Sequence, residues 1–174
     1  MSYKYLNKWL EEKDLKTFPS KLRLLLIDNE SLTKRLEGLT RKRLSIKIIE
    51  QRNFYFSEEK PQKLSNTFKG YAVHRRVLLD CEKFETIKAE SFFPLKYLSG
   101  KEKFLALLGE KSLGTYILKP NRFKRFITKF QITSKYACRT IIYKYKTKHI
   151  LVKEYFPVCM SMDSLTLLKC RRQV

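Results

Sequence analysis

Two charged side chains stand where strand alternation expects apolar ones. In "HILVKEYFPVC", residues 149–159, the alternation puts Ile150, Val152, Glu154 and Phe156 on one face and Leu151, Lys153 and Tyr155 on the other. The apolar face is the natural core face, and it carries a carboxylate. In "YAVHRRVLLD", residues 71–80, Tyr71, Val73, Arg75, Val77 and Leu79 share a face, so a guanidinium stands among apolar groups in the same way. Burying an ion without a partner costs several kcal/mol or more. Opposite charges on two core faces therefore imply either a structural salt bridge or the walls of a cavity that takes a polar ligand. "ACRTIIYKY", residues 137–145, adds a third charge: Arg139 shares parity with Ala137, Ile141, Tyr143 and Tyr145. Its place near the strand's start lets it face inward or reach solvent.

Two other stretches offer backbone donors. "IDNESLTKRLE" and "GEKSLGTY" each place a serine before a leucine at a predicted helix start. With Ser31 and Ser112 as N-caps, the amides of Leu32 and Leu113 fall in the first helical turn. There they have no intrahelical acceptor and lie at the positive end of the helix dipole, where an anion can bind. Ordinary capping, with the amides facing water, is the alternative.

These groups need elements to position them. "YKYLNKWLEE" reads as a short amphipathic helix. "PSKLRLLLID" and "ESLTKRLEGL" read as a helical pair broken near 28–31. "RLSIKIIEQRNFYF" alternates and is a long strand. "KGYAVHRRVLLD" and "FETIKAESFFPL" form a hairpin turning at Glu82–Lys83, and "ACRTIIYKYKTKHILVKEYFP" forms another turning near Thr147–Lys148. "SGKEKFLALLGE" reads as a helix with Ser99 as its cap, and "SLGTYILKP" and "PNRFKRFITKFQ" as short helical turns. Hairpins demand antiparallel pairing, and the helices do not alternate with strands. The class is α+β, one antiparallel sheet with helices covering one face or folding over it.

Composition narrows the function. The 174 residues are 43% hydrophobic and 13% aromatic, enough for one globular domain, 1–174, with a real core. No apolar run is long enough to span a bilayer, and the charged N-terminus lacks the apolar centre of a signal peptide, so the chain is expected to be soluble. Four cysteines without ligand spacing and two histidines give no metal site and suggest a reducing compartment. The net charge of +21 points toward an anionic partner, but a genome rich in A/T codons produces the same excess of Lys, Ile, Phe, Tyr and Asn. "LTRKRLSIK", "NRFKRFITKF" and "YKYKTKH" interleave basic and aromatic residues as single-strand nucleic-acid binders do; solvated faces backed by buried aromatics explain them equally well, and specific nucleic-acid binding is not expected.

"ESLTKRLE", "RRVLL", "AESFFPLKYLSG", "LLGEKSLGTYI" and "RTIIYKYKTKHILVKEYFP" occur in this order over about residues 20–157. The ordered set resembles the chorismate pyruvate-lyase family, and within it the chorismate-lyase-like proteins encoded in red-algal plastid genomes. The resemblance implies a six-stranded antiparallel sheet with helical flaps sealing an internal cavity. It implies cofactor-independent elimination of pyruvate from chorismate to give 4-hydroxybenzoate, in a monomer of the plastid stroma. By position it assigns substrate binding to Arg75, Glu154 and the amides of Leu32 and Leu113, with Arg75 and Glu154 also catalytic. Two departures from bacterial members, Arg76 and Glu90, fall by parity on the faces opposite the site. A non-catalytic sensor of small carboxylates on the same fold is the alternative. The tail 158–174 lies beyond the resemblance.

Overall fold

The computed structural model describes residues 8–56, 69–81, 84–120 and 122–158. Seven strands form one antiparallel sheet: β1 (Trp9–Leu10), β2 (Ser45–Phe56), β3 (Gly70–Cys81), β4 (Phe84–Pro94), β5 (Lys124–Ile132), β6 (Tyr136–Tyr145) and β7 (Lys148–Pro157). Their order across the sheet is β1-β5-β6-β7-β4-β3-β2. The chain therefore lays down two three-stranded meanders, β2–β3–β4 and β5–β6–β7, which meet where β4 pairs with β7. The expected α+β class holds, with the two-residue β1 added at one edge. Turn Glu82–Lys83 lies outside the described residues, as does the tail from residue 159.

Among the described residues, helices cover one face only. α1 (Ser20–Ile27) and α2 (Leu32–Thr40) bury Leu22, Leu25, Leu26, Leu32, Leu36 and Leu39 against Val77, Leu79, Ile87, Phe130 and Phe156. Along the same face a 3₁₀ segment, Gly100–Leu107, and the one-turn α3 (Gly114–Ile117) bury Leu105, Leu113 and Ile117 against Val73, Phe93, Ile141, Tyr143 and Val152. Two apolar clusters thus sit side by side under two separate helical covers. The second cover is tied down by charge. Glu102, almost fully buried, accepts from Arg122 Nη1 at 3.0 Å and from Lys148 Nζ at 2.5 Å, linking the 3₁₀ segment to the β6–β7 hairpin. On the opposite face Phe92, Ile142 and Leu151 form a small cluster, with His74 stacked on Phe92 at 4.3 Å.

Several local expectations need correction. Trp9–Leu10 pairs with β5 instead of forming part of a helix, and Glu12–Thr17 is a 3₁₀ turn; residues 3–7 of the expected helix lie outside the described ones. Residues 124–132 are strand β5, not helical turns. Phe123, Phe126 and Phe130 are spaced as on a helix face, and the register shift between Arg125 and Ile127 breaks the strand alternation that would have revealed the strand. Phe123 and Phe130 are buried while Phe126 is exposed at the irregularity. The β6–β7 turn uses Lys146, in the left-handed region at φ 53°, one residue earlier than expected. Ser99 precedes the 3₁₀ segment in extended conformation, without a side-chain capping bond.

Candidate active site

Strand register decides which side chains share a wall. Residues directly opposite in an antiparallel pair point to the same face. One rung runs Arg75–Ser91–Val152–Ile141 across β3, β4, β7 and β6. The next runs Val77–Ala89–Glu154–Arg139–Phe130 and reaches β5. Arg75 and Glu154 therefore stand on the same face, two strands apart and two residues along, roughly 12 Å between their Cα atoms at standard sheet spacing. That face is the one the helices cover.

Between the two apolar clusters lies a cavity with about 520 Å³ of atom-free space, part of it open to solvent. Arg75, Ser91, Val152 and Glu154 lie along its floor; Ser31, Leu32 and Thr33 at the start of α2 and Ser112, Leu113 and Gly114 at the entry to α3 form its roof. All four residues assigned from the sequence line this one space. The lining is mainly apolar with a few convergent polar groups, the make-up of a small-molecule site.

Arg75 and Glu154 do not pair with each other. Arg75 is 3% exposed and donates from Nε to the Gly109 carbonyl at 2.9 Å and from Nη2 to the Lys111 carbonyl at 3.0 Å. Gly109 adopts φ +59°, a conformation open to glycine at little cost, in the turn that offers these carbonyls. Among the described residues Arg75 meets no carboxylate within ion-pair distance. Burial pushes its guanidinium down to about 10, which still leaves it cationic at neutral pH. A desolvated cation held only by neutral carbonyls can be neutralised by an anion that enters beside it.

Glu154 has a different partner. Its Oε2 accepts from Arg139 Nε at 2.6 Å, with Arg139 only 1% exposed. Arg139 Nη1 also donates to the carbonyls of Leu25, Leu26 and Asp28, at 2.9, 3.0 and 2.8 Å. These are the unsatisfied carbonyls at the end of α1, where a cation also meets the negative end of the helix dipole. The inward alternative for Arg139 is thus the observed one. Oε1 of Glu154 makes no hydrogen bond among the described residues, and it is the oxygen left for a ligand. Tyr143, which lines the cavity wall, has its hydroxyl pushed up by burial and stays neutral.

The roof is set by two breaks in the chain. Asp28 shapes the first: Oδ1 accepts the Glu30 N–H at 3.0 Å and Oδ2 binds Arg35. Ser31 is the N-cap residue of α2, as expected, and Leu32 begins the helix. At the second break the expectation shifts by one residue. Leu113, with φ −65° and ψ −42°, takes the N-cap position of α3, and its carbonyl accepts from Tyr116 and Ile117. Ser112 lies outside the helix; its hydroxyl donates to Thr33 Oγ1 at 3.0 Å and so joins the two roof segments. The Leu113 N–H still lacks an intrahelical acceptor. Arg76 and Glu90 lie on the opposite face, where Arg76 approaches Glu50 and Glu90.

A one-sided antiparallel sheet, roofed by helices over a cavity with a cation at one end and a carboxylate at the other, defines a small-molecule-binding α+β protein. The family comparison agrees: the chorismate lyase model matches residues 5–161, and the chain belongs to that family. Comparison with curated proteins gave no match. Among the described residues no helix is long and apolar enough to cross a membrane.

Proposed function

We propose that this chain is a chorismate pyruvate-lyase, releasing pyruvate from chorismate to leave 4-hydroxybenzoate. The observation that carries the reading is Arg75: a buried cation, compensated only by carbonyls, opening onto the same cavity as Glu154. Such a cavity suits a ring with an anionic group at one end and a hydroxyl at the other. The carboxylate of Glu154 accepts a hydrogen bond from the ring hydroxyl, and the N–H groups of Leu32 and Leu113 reach a substrate carboxylate from the roof.

In the reaction the hydrogen on the hydroxyl-bearing ring carbon is lost as a proton and the ether C–O bond at the neighbouring ring carbon breaks. The enolpyruvate leaving group takes up a proton and becomes pyruvate, while the ring becomes aromatic. The chain's contribution is to hold one conformer, to stabilise the departing anion through Arg75 and to assist proton movement through Glu154. These steps call for no organic cofactor and no metal. The A/T-biased composition supports placing the protein in a plastid.

Incubation with chorismate, following 4-hydroxybenzoate and pyruvate, tests the proposal. Turnover is expected in the wild type, and a loss of about a hundredfold or more in Arg75→Ala and Glu154→Gln. Full activity in both variants would reject their roles. Tight 4-hydroxybenzoate binding with no turnover in the wild type would identify a sensor instead.

A further inference from the structure

We propose that the Ser31 hydroxyl is a ligand-binding group that donates a hydrogen bond to an anionic oxygen held at the start of α2. The inference deepens the lyase reading and rests on it.

Three hydroxyls meet in the roof, and two are accounted for. Ser112 donates to Thr33 Oγ1, and Thr33 is thereby held. Ser31 is 5% exposed, and its Oγ has no hydrogen-bond partner among the described residues. An N-cap serine ordinarily accepts from an amide of the first helical turn with this oxygen. Ser31 has the extended backbone of a cap, and its carbonyl accepts the Arg35 N–H at 2.9 Å, yet its side chain makes no capping bond. Buried hydroxyls without partners are rare, because each has given up its bonds to water.

Gly114 shows how closely this group is confined. A Cβ placed there would lie 2.4 Å from Ser31 Oγ and 2.9 Å from Ser31 Cβ. The α3 backbone thus closes one side of the serine, and the cavity that Ser31 lines is the other. The neighbouring Leu32 N–H belongs to the first turn of a nine-residue helix and has no intrahelical acceptor. Hydroxyl and amide together form a two-donor cradle. A carboxylate oxygen answers both with charge-assisted hydrogen bonds, whereas a ring hydroxyl accepts more weakly. Ser31 is therefore a group that favours the acid end of the ligand over its hydroxyl.

The test is a calorimetric titration of the full chain with 4-hydroxybenzoate, paired with thermal unfolding of the unliganded protein. Ser31→Ala is expected to weaken binding about tenfold, as for loss of one hydrogen bond to a charged group. Its unliganded melting temperature should be unchanged or higher, because an unsatisfied hydroxyl has been removed. Gly114→Ala, which keeps Ser31 but crowds it, should also weaken binding. Unaltered affinity in Ser31→Ala or in Gly114→Ala overturns the inference. So does a melting temperature several degrees lower in Ser31→Ala, which would mark an ordinary helix cap. A wild type that ignores 4-hydroxybenzoate defeats the lyase reading and this inference with it, whereas a binding wild type matched by Ser31→Ala defeats the inference alone.

Discussion

The two ends of the cavity solve the same problem in opposite ways. Each places a charge on the covered face of the sheet. At one end Arg75 is held by two loop carbonyls and keeps an unneutralised positive charge. At the other, Glu154 is neutralised by Arg139, which is itself held by three carbonyls at the end of α1. The first arrangement leaves a charge for a ligand to answer. The second answers the charge internally and presents an oriented acceptor. The difference separates a charge left open, which we propose a ligand answers, from one whose partner also joins a helix to the sheet.

That contrast can be broken most severely at Arg139. Arg139→Met strands Glu154 as a buried anion and leaves three carbonyls without their donor, so unfolding in urea should show a loss of about 3–5 kcal/mol. At the other end Arg75→Met removes a desolvated cation that no carboxylate compensates. Its unfolding free energy should move by about 1 kcal/mol or less, although ligand binding is lost. Equal losses in the two variants would erase the distinction. The smallest effect concerns the roof anchor. Burial alone would raise the Glu102 carboxyl, but Lys148 and Arg122 outweigh it and hold it below its usual range. A carboxylate with a depressed value contributes stability that is complete at neutral pH and disappears as pH falls through that value. Glu102→Gln should therefore show a shallower acid limb in melting temperature against pH, with its largest deficit relative to wild type at neutral pH.

Much of the site was legible because strand parity is a strong constraint. Arg75 and Glu154 were assigned to covered faces by counting in twos, and the register confirms the counting. The helical break at 28–31 was visible because Asp28 and Ser31 are turn and cap residues. What counting in twos did not deliver was partnership. Which arginine meets Glu154 depends on β6 lying beside β7 with Arg139 directly opposite, and on where α1 ends. Nor did local pattern reveal β5, whose phenylalanine spacing imitates a helix across the irregularity at Arg125–Ile127. The Ser112 cap was misplaced by one residue: its hydroxyl bonds Thr33, a tertiary partner invisible to local pattern.

The meeting of β4 with β7 carries a consequence of its own. Only five residue pairs, from Lys88 opposite Tyr155 to Phe92 opposite Leu151, zip one half of the molecule to the other. Arg75 is donated by the earlier half and Glu154 by the later, so neither half alone owns both poles of the binding chamber. The two poles share one chamber only because that seam, a pairing of strands far apart in the sequence, is closed.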